Sequence, residues 1–202
     1  MSILSQIPVI AAAVGLSSAE AETPADIRFE VYRNNSRMGE HAVAFSRTEA
    51  GDLRVDVDID LAVRLGPIPV FRYQHDATEY WRDGQLIAIQ AATFSDGEWS
   101  RWQAALNDTD GVPLAELPPS SHWTRYDPAT VAILNTETGE AMPVEIVSLG
   151  LEAFPTSAGS VQAERIRMTG TLTVDLWYDA DGNWVGCEFE ARGQRIRYVR
   201  VG

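Results

Sequence analysis

The chain is 202 residues long, with 45% hydrophobic residues and a formal net charge of -13. That length and composition predict one domain with a real hydrophobic core and exclude a disordered chain. Sixteen basic residues, all Arg, stand against 29 acids, a balance that repels phosphate backbones and anionic membrane surfaces and argues against a nucleic-acid partner.

At the N-terminus, Ile7 to Leu16 is an apolar run, followed by Ser17-Ser18-Ala19-Glu20-Ala21. The run is too short to span a bilayer, and Ala19-x-Ala21 fits the small-residue cleavage rule. Residues 1–21 are therefore expected to be a signal peptide, and the protein periplasmic or secreted. The first basic residue is Arg28, so the positive flank of such a signal is missing, as it would be if the true start lay upstream. Residues 22–202 are expected to form a single antiparallel β domain with no transmembrane segment.

From there the hydrophobic period is two. Ile27, Phe29 and Val31 alternate with Arg28, Glu30 and Tyr32, and Val43 and Phe45 continue a strand after the turn Asn34-Asn35-Ser36. Leu53, Val55, Val57, Ile59, Leu61 and Val63 alternate with Arg and Asp, which predicts a long strand with one buried and one wet face. Phe71 through Trp81 form another alternating run, ended by Arg82-Asp83-Gly84-Gln85. Leu86 to Phe94 and Trp99 to Leu106 follow, joined by Ser95-Asp96-Gly97. The middle breaks the pattern. Asn107 to Pro119 reads as a loop, and Asp127-Pro128 predicts a short helix with Ala129 to Leu134 as its body. Strand returns at Val144 to Leu149. Four more strands are expected at Val161 to Met168, Leu172 to Tyr178, Trp184 to Ala191 and Ile196 to Val201.

The sum is a mainly β fold: one large curved antiparallel sheet of about ten strands, with one or two short helices in a central insertion. Two outcomes fit, a half-barrel cupped around a helix or ligand and a closed barrel. The curved, partly closed sheet is favoured, with the insertion covering its concave side.

Few residues suggest chemistry. Asp179, Asp181 and Asn183 alternate as in a calcium loop, with Glu190 eleven residues beyond Asp179. However, Trp184 takes the place of the required Gly, and Glu190 lies about 20 Å along the next strand, so a hairpin turn is expected. Ser121-His122 lacks triad geometry and a Gly-x-Ser-x-Gly elbow; His122 reads as a loop residue and Trp123 as its pin. Cys187, the single cysteine, is expected to be a small buried hydrophobe. No phosphate loop or dinucleotide fingerprint is present, so no cofactor, no metal and no catalytic residue are assigned.

One face draws attention. On a regular strand Phe71, Tyr73, His75, Ala77, Glu79 and Trp81 point the same way. Tyr73, Trp81 and Trp102 would then line a ligand cavity, with His75 and Glu79 as polar anchors and His41 as a partner from a neighbouring strand. The competing reading is structural, a His bonded to backbone and a Glu paired with an Arg, or both facing water if the parity reverses. His75 and Glu79 lie about 13 Å apart along a strand and cannot touch.

Several phrases occur together and in order: FEVYRNNSRMGEH, RYQHDATEYW, TFSDG, SSHW, DLWYDADGNWV and GQRIRY. They resemble a family of exported proteobacterial proteins known only as a domain of unknown function. The resemblance runs from Ile27 to the C-terminus and implies secretion and a β-rich fold, with no activity attached to any residue. The architecture is also similar to that of outer-membrane lipoprotein carriers, an analogy of fold alone. Three functions follow in order: a binder of a hydrophobic ligand or lipid within the curved sheet, an envelope interaction module with a filled core, and a hydrolase or isomerase using His75 and Glu79.

Overall fold

The computed structural model describes residues 22–95, 97–106 and 114–202. The expected signal peptide lies outside the described residues. Six strands precede the insertion: β1 (Ile27–Arg33), β2 (Ser36–Arg47), β3 (Leu53–Leu65), β4 (Ile68–Arg82), β5 (Gln85–Ser95) and β6 (Glu98–Ala105). A small hairpin, β7 (Ala132–Leu134) and β8 (Ala141–Pro143), lies within it. Then come β9 (Glu145–Thr156), β10 (Gly159–Thr169), β11 (Thr173–Tyr178), β12 (Trp184–Ala191) and β13 (Gln194–Arg200).

Eleven strands form one antiparallel sheet in the order β6-β5-β4-β3-β2-β1-β13-β12-β11-β10-β9. The alternation seen in the sequence is the physical cause. In β3, Val55, Val57 and Leu61 are buried while Asp58 and Asp60 face water. The first and last strands meet in the middle, with Val31 opposite Tyr198. Strands from both halves line one interior: Tyr73 of β4, Ser95 of β5, Met168 of β10 and Val174 of β11 share a cavity. The sheet therefore curls around that space, yet the edges β6 and β9 do not pair. It is a partly closed barrel.

Two local departures shape it. Met38 and His41 both point inward although they are an odd number of residues apart, because the β1–β2 register slips between Val31 and Tyr32. Gly39 sits at that slip, where a Cβ would overlap the Asp60 carbonyl of β3. A second slip, between Arg165 and Ile166, bends the β9–β10 hairpin. Ile166 and Met168 face the main core, whereas Ala163 and Phe154 join Trp177 and Val185 in a separate cluster on the other side of the sheet. Thus β12 is covered on both faces. β9, expected to stop at Leu149, runs on through Gly150 and Pro155 to Thr156.

The insertion corrects one expectation. No helix spans residues 129–134. Asp127 Oδ1 accepts from the Ala129 N–H at 2.8 Å and the Asp127 carbonyl accepts from the Thr130 N–H at 2.9 Å, making one capped turn. The chain then extends into β7. Packing decides this: Ile133 is buried in the main core and its neighbour Leu134 in a second cluster with Leu86, Ile89 and Leu117. Only an extended backbone sends consecutive side chains to opposite sides. Among the described residues the helical content is one 3-10 turn, Leu114–Glu116.

Gly139, in the β7–β8 turn, has φ +78 and lies against Trp102; a Cβ there would come within 2.8 Å of the indole ring. Gly139→Ala is expected to lower stability by about 1–3 kcal/mol, read as a drop in thermal unfolding midpoint, from the left-handed backbone and the ring clash together. An unchanged midpoint would mean that the turn does not lie against Trp102.

Candidate functional site

Between the sheet and the insertion lies a cavity of about 720 Å³. Its walls are apolar, with Val57 and Leu61 from β3, Met168, Val174, Ile196 and, from the insertion, Ile133. The polar groups stand out against them. The chain has three histidines, and His41, His75 and His122 all line this cavity.

Each imidazole is held differently. His41 is buried among Phe29, Trp184 and Tyr198, with ring centroids 5.2 to 6.0 Å away, and neither nitrogen has a hydrogen-bond partner. Burial, with the nearby His122 and His75 adding to it, pushes its pKa down to about 3. His75 Nδ1 lies 2.8 Å from Thr93 Oγ1, and burial lowers its pKa as well. His122 Nδ1 lies 2.8 Å from the Tyr126 hydroxyl, and burial pushes its pKa down to about 4. Burial thus favours the uncharged form of all three.

Tyr73, also in the wall, donates to Glu137 Oε1 at 2.7 Å and so ties β4 to the β7–β8 turn. Glu79, Trp81 and Trp102 are not part of the wall. Glu79 is fully buried, and its Oε2 accepts from two indoles, Trp81 Nε1 and Trp123 Nε1, both at 2.9 Å. The Ser121 hydroxyl lies beside the carboxyl without a hydrogen bond of normal geometry; Ser121 Oγ and Glu79 Oε1 are both buried and unpartnered. Burial raises the Glu79 pKa, and the Ser121, Trp123 and Trp81 dipoles only partly offset it. Trp123 packs edge-on against Trp81 and Phe45, each 5.3 Å away. Trp102 Nε1 donates to the Thr136 carbonyl at 3.0 Å. Glu79 and Trp102 therefore fasten the insertion over the sheet. His75 lines this cavity and Glu79 does not.

The parity reading of β4 stands, since His75, Ala77 and Glu79 are buried and Arg72, Asp76 and Arg82 exposed. Sequence reasoning missed His122, Tyr126 and the rim. His122 has φ +64, and its backbone carbonyl accepts from the Tyr178 hydroxyl at 3.0 Å. No local pattern marks that position. The rim is set by topology: the β1–β2, β3–β4, β10–β11 and β12–β13 turns fall at one end of an antiparallel meander. Arg33, Val70, Leu172 and Arg192 line the cavity from those four hairpins, with Val70 60% and Leu172 40% exposed. The opening thus combines apolar side chains with two guanidinium groups.

The Asp179 loop is a turn that satisfies itself. Asp179 Oδ1 accepts from the N–H groups of Asp181 and Asn183, both carboxylate oxygens accept from Asn183 Nδ2, and Gly182 supplies φ +81. Cys187 is buried in the cavity wall, and burial raises its thiol pKa well above the usual value.

A model of the family described as a domain of unknown function, DUF6134, matches residues 29–201. No curated protein matches the chain. Among solved structures, the fold is similar to the crystal structure of a β-barrel-like protein of the domain of unknown function DUF1849 from Brucella abortus. That likeness has a TM-score of 0.59 at 13% identity and covers 87% of this chain and 94% of that one. A more distant likeness is to the crystal structure of MucB, with a TM-score of 0.37 at 12% identity, covering 90% of this chain and 52% of that one. The first likeness shows the fold, a barrel-like curled sheet.

Proposed function

The chain belongs to the DUF6134 family, a domain of unknown function, and we propose that its activity is to bind an apolar or single-chain amphipathic molecule, such as a lipid, inside the curled sheet. One observation carries this reading: an apolar cavity of about 720 Å³ under the insertion. Close-packed cores leave few voids larger than a water molecule, whereas ligand pockets run from roughly 300 to 1,000 Å³. An interaction module with a filled core would have no such space. The two arginines at the rim suit a ligand with an anionic end.

Export belongs to the same proposal. It is supported by the apolar run Ile7 to Leu16 and by Ala19-x-Ala21. Among the described residues no helix is long and apolar enough to cross a membrane.

Native mass spectrometry of the purified protein, followed by solvent extraction, tests the binding reading. A stoichiometric apolar molecule, or uptake of added palmitate, is the expected result. An apo mass that palmitate and lysophospholipid both leave unchanged would overturn it.

A further inference from the structure

The cavity holds a hydrogen-bond acceptor whose sense is fixed by the residues behind it. The Pro119 carbonyl only accepts, so the Tyr126 hydroxyl donates to it across 2.8 Å. With that proton committed, the Tyr126 oxygen accepts from His122 Nδ1 at 2.8 Å. A neutral His122 then carries its one N–H on Nδ1, and Nε2 is a bare lone pair. Among the described residues no donor reaches Nε2, and it is not sealed off as the nitrogens of His41 are. Its ring lies 5.7 Å from that of Trp184, inside the cavity wall.

The backbone supports a dedicated role. His122 adopts φ +64, a left-handed conformation uncommon for a residue with a side chain, and the Tyr178 hydroxyl holds its carbonyl there. Such local strain clusters at ligand clamps. Three side chains, Tyr126, Tyr178 and Trp184, are thus spent on placing one imidazole.

We propose that His122 Nε2 recognises a hydroxyl group on the bound molecule, which must donate the hydrogen bond. The proposal rests on the reading that the cavity holds an apolar ligand. It adds that the ligand is a long-chain hydroxy acid or a similar amphiphile, with its anionic end at Arg33 and Arg192 and its hydroxyl at His122. The spacing fits. Trp184 packs against both His122 and Phe29. Along β1, Phe29 is about 13 Å from Arg33, and along β12, Trp184 is about 26 Å from Arg192, at about 3.3 Å per residue. A chain the length of palmitate lies between these limits.

The test is calorimetric titration of the full chain with palmitate, ω-hydroxypalmitate and ω-methoxypalmitate. One net hydrogen bond should make the hydroxy acid about fivefold tighter than palmitate, while the methyl ether, which cannot donate, gains nothing. His122→Asn, a residue that tolerates positive φ, should abolish the preference while palmitate still binds. Tyr126→Phe frees the tautomer and should let the ether bind as well as the alcohol. Equal affinity for all three ligands would overturn the hydroxyl subsite and leave the apolar-cavity reading standing. An ether that binds wild type as tightly as the alcohol would overturn the assigned direction of the bond, and with it the proposal. Binding of none of the three would overturn both readings.

Discussion

Glu79→Ala is expected to destabilise the protein by about 3–5 kcal/mol in urea unfolding, whereas Glu79→Gln should cost about 1 kcal/mol or less. Alanine leaves the indole N–H groups of Trp81 and Trp123 buried without an acceptor and opens a void between β4 and the insertion. Glutamine keeps a carbonyl oxygen where Oε2 stands and places its amide at Oε1, beside the unpartnered Ser121 hydroxyl. The contrast is expected because burial raises the Glu79 pKa and, among the described residues, no cation pairs with the carboxyl, so glutamine keeps what the indoles bind. Equal losses in the two variants would show that the group is ionised and that its charge is what the indoles bind.

Acidification from pH 7 to pH 5 is expected to be the other large effect. His41 and His122 have pKa values near 3 and near 4 in the fold, against 6.5 when unfolded. Because the folded values are depressed, the unfolded chain takes up protons first as pH falls. The stability these residues carry is complete above pH 6.5 and is lost on the way down through the folded pKa values. At pH 5 the two withhold about 2 kcal/mol each, about 4 kcal/mol together. His75, also lowered, acts in the same sense. Glu79 and Asp58, both raised, act oppositely, since their contribution is present at low pH and lost as pH rises through their folded values. The depressed carboxylates Asp52, Asp56, Glu164 and Asp175 matter only below about pH 4.5. Across pH 5 to 7 the histidines and Glu79 therefore pull in opposite directions, and comparison with a His41 variant isolates the His41 share. A urea midpoint that falls across this window in wild type and falls less in His41→Phe is the expected outcome. The same change of midpoint with pH in wild type and His41→Phe would mean that His41 is not buried neutral.

Alternation made the strands legible. It placed the buried face of β3 and sorted β4 so that Tyr73 and His75 fell on the interior side. Turn residues located the hairpins at Asn34-Asn35 and at Asp83-Gly84. What escaped depends on contacts distant in sequence. The fate of Glu79 is decided by Trp123, 44 residues away, and that of Trp102 by Thr136, 34 residues away. Parity placed Glu79 on the interior face but could not say which neighbours it would meet. The helix expected after Asp127 has sound local chemistry, yet the capped turn gives way to a strand because Ile133 and Leu134 are claimed by different clusters. β9 runs past Leu149 through Gly150 and Pro155; as an edge strand, with unpaired positions to spare, it accommodates both. His122 and Tyr126 carry no local signal, since their relation to each other and to Pro119 exists only once the insertion is folded over the sheet.

The pairing of β1 with β13 has a consequence for how the chain is made. Synthesis runs from β1 onward, so at first β1 through β6 can assemble only as an open half-sheet. Its apolar face, including Phe29, Val31 and Val43, stays uncovered until the last residues arrive. The closing register joins Arg33 to Ile196 and Phe29 to Arg200, contacts of very high sequence separation and correspondingly slow formation. A nascent chain stalled before β13 would therefore display a sticky, unpaired strand edge at β1. Removing the last seven residues of the sheet, Gln194–Arg200, would leave two half-sheets that no strand pairing joins.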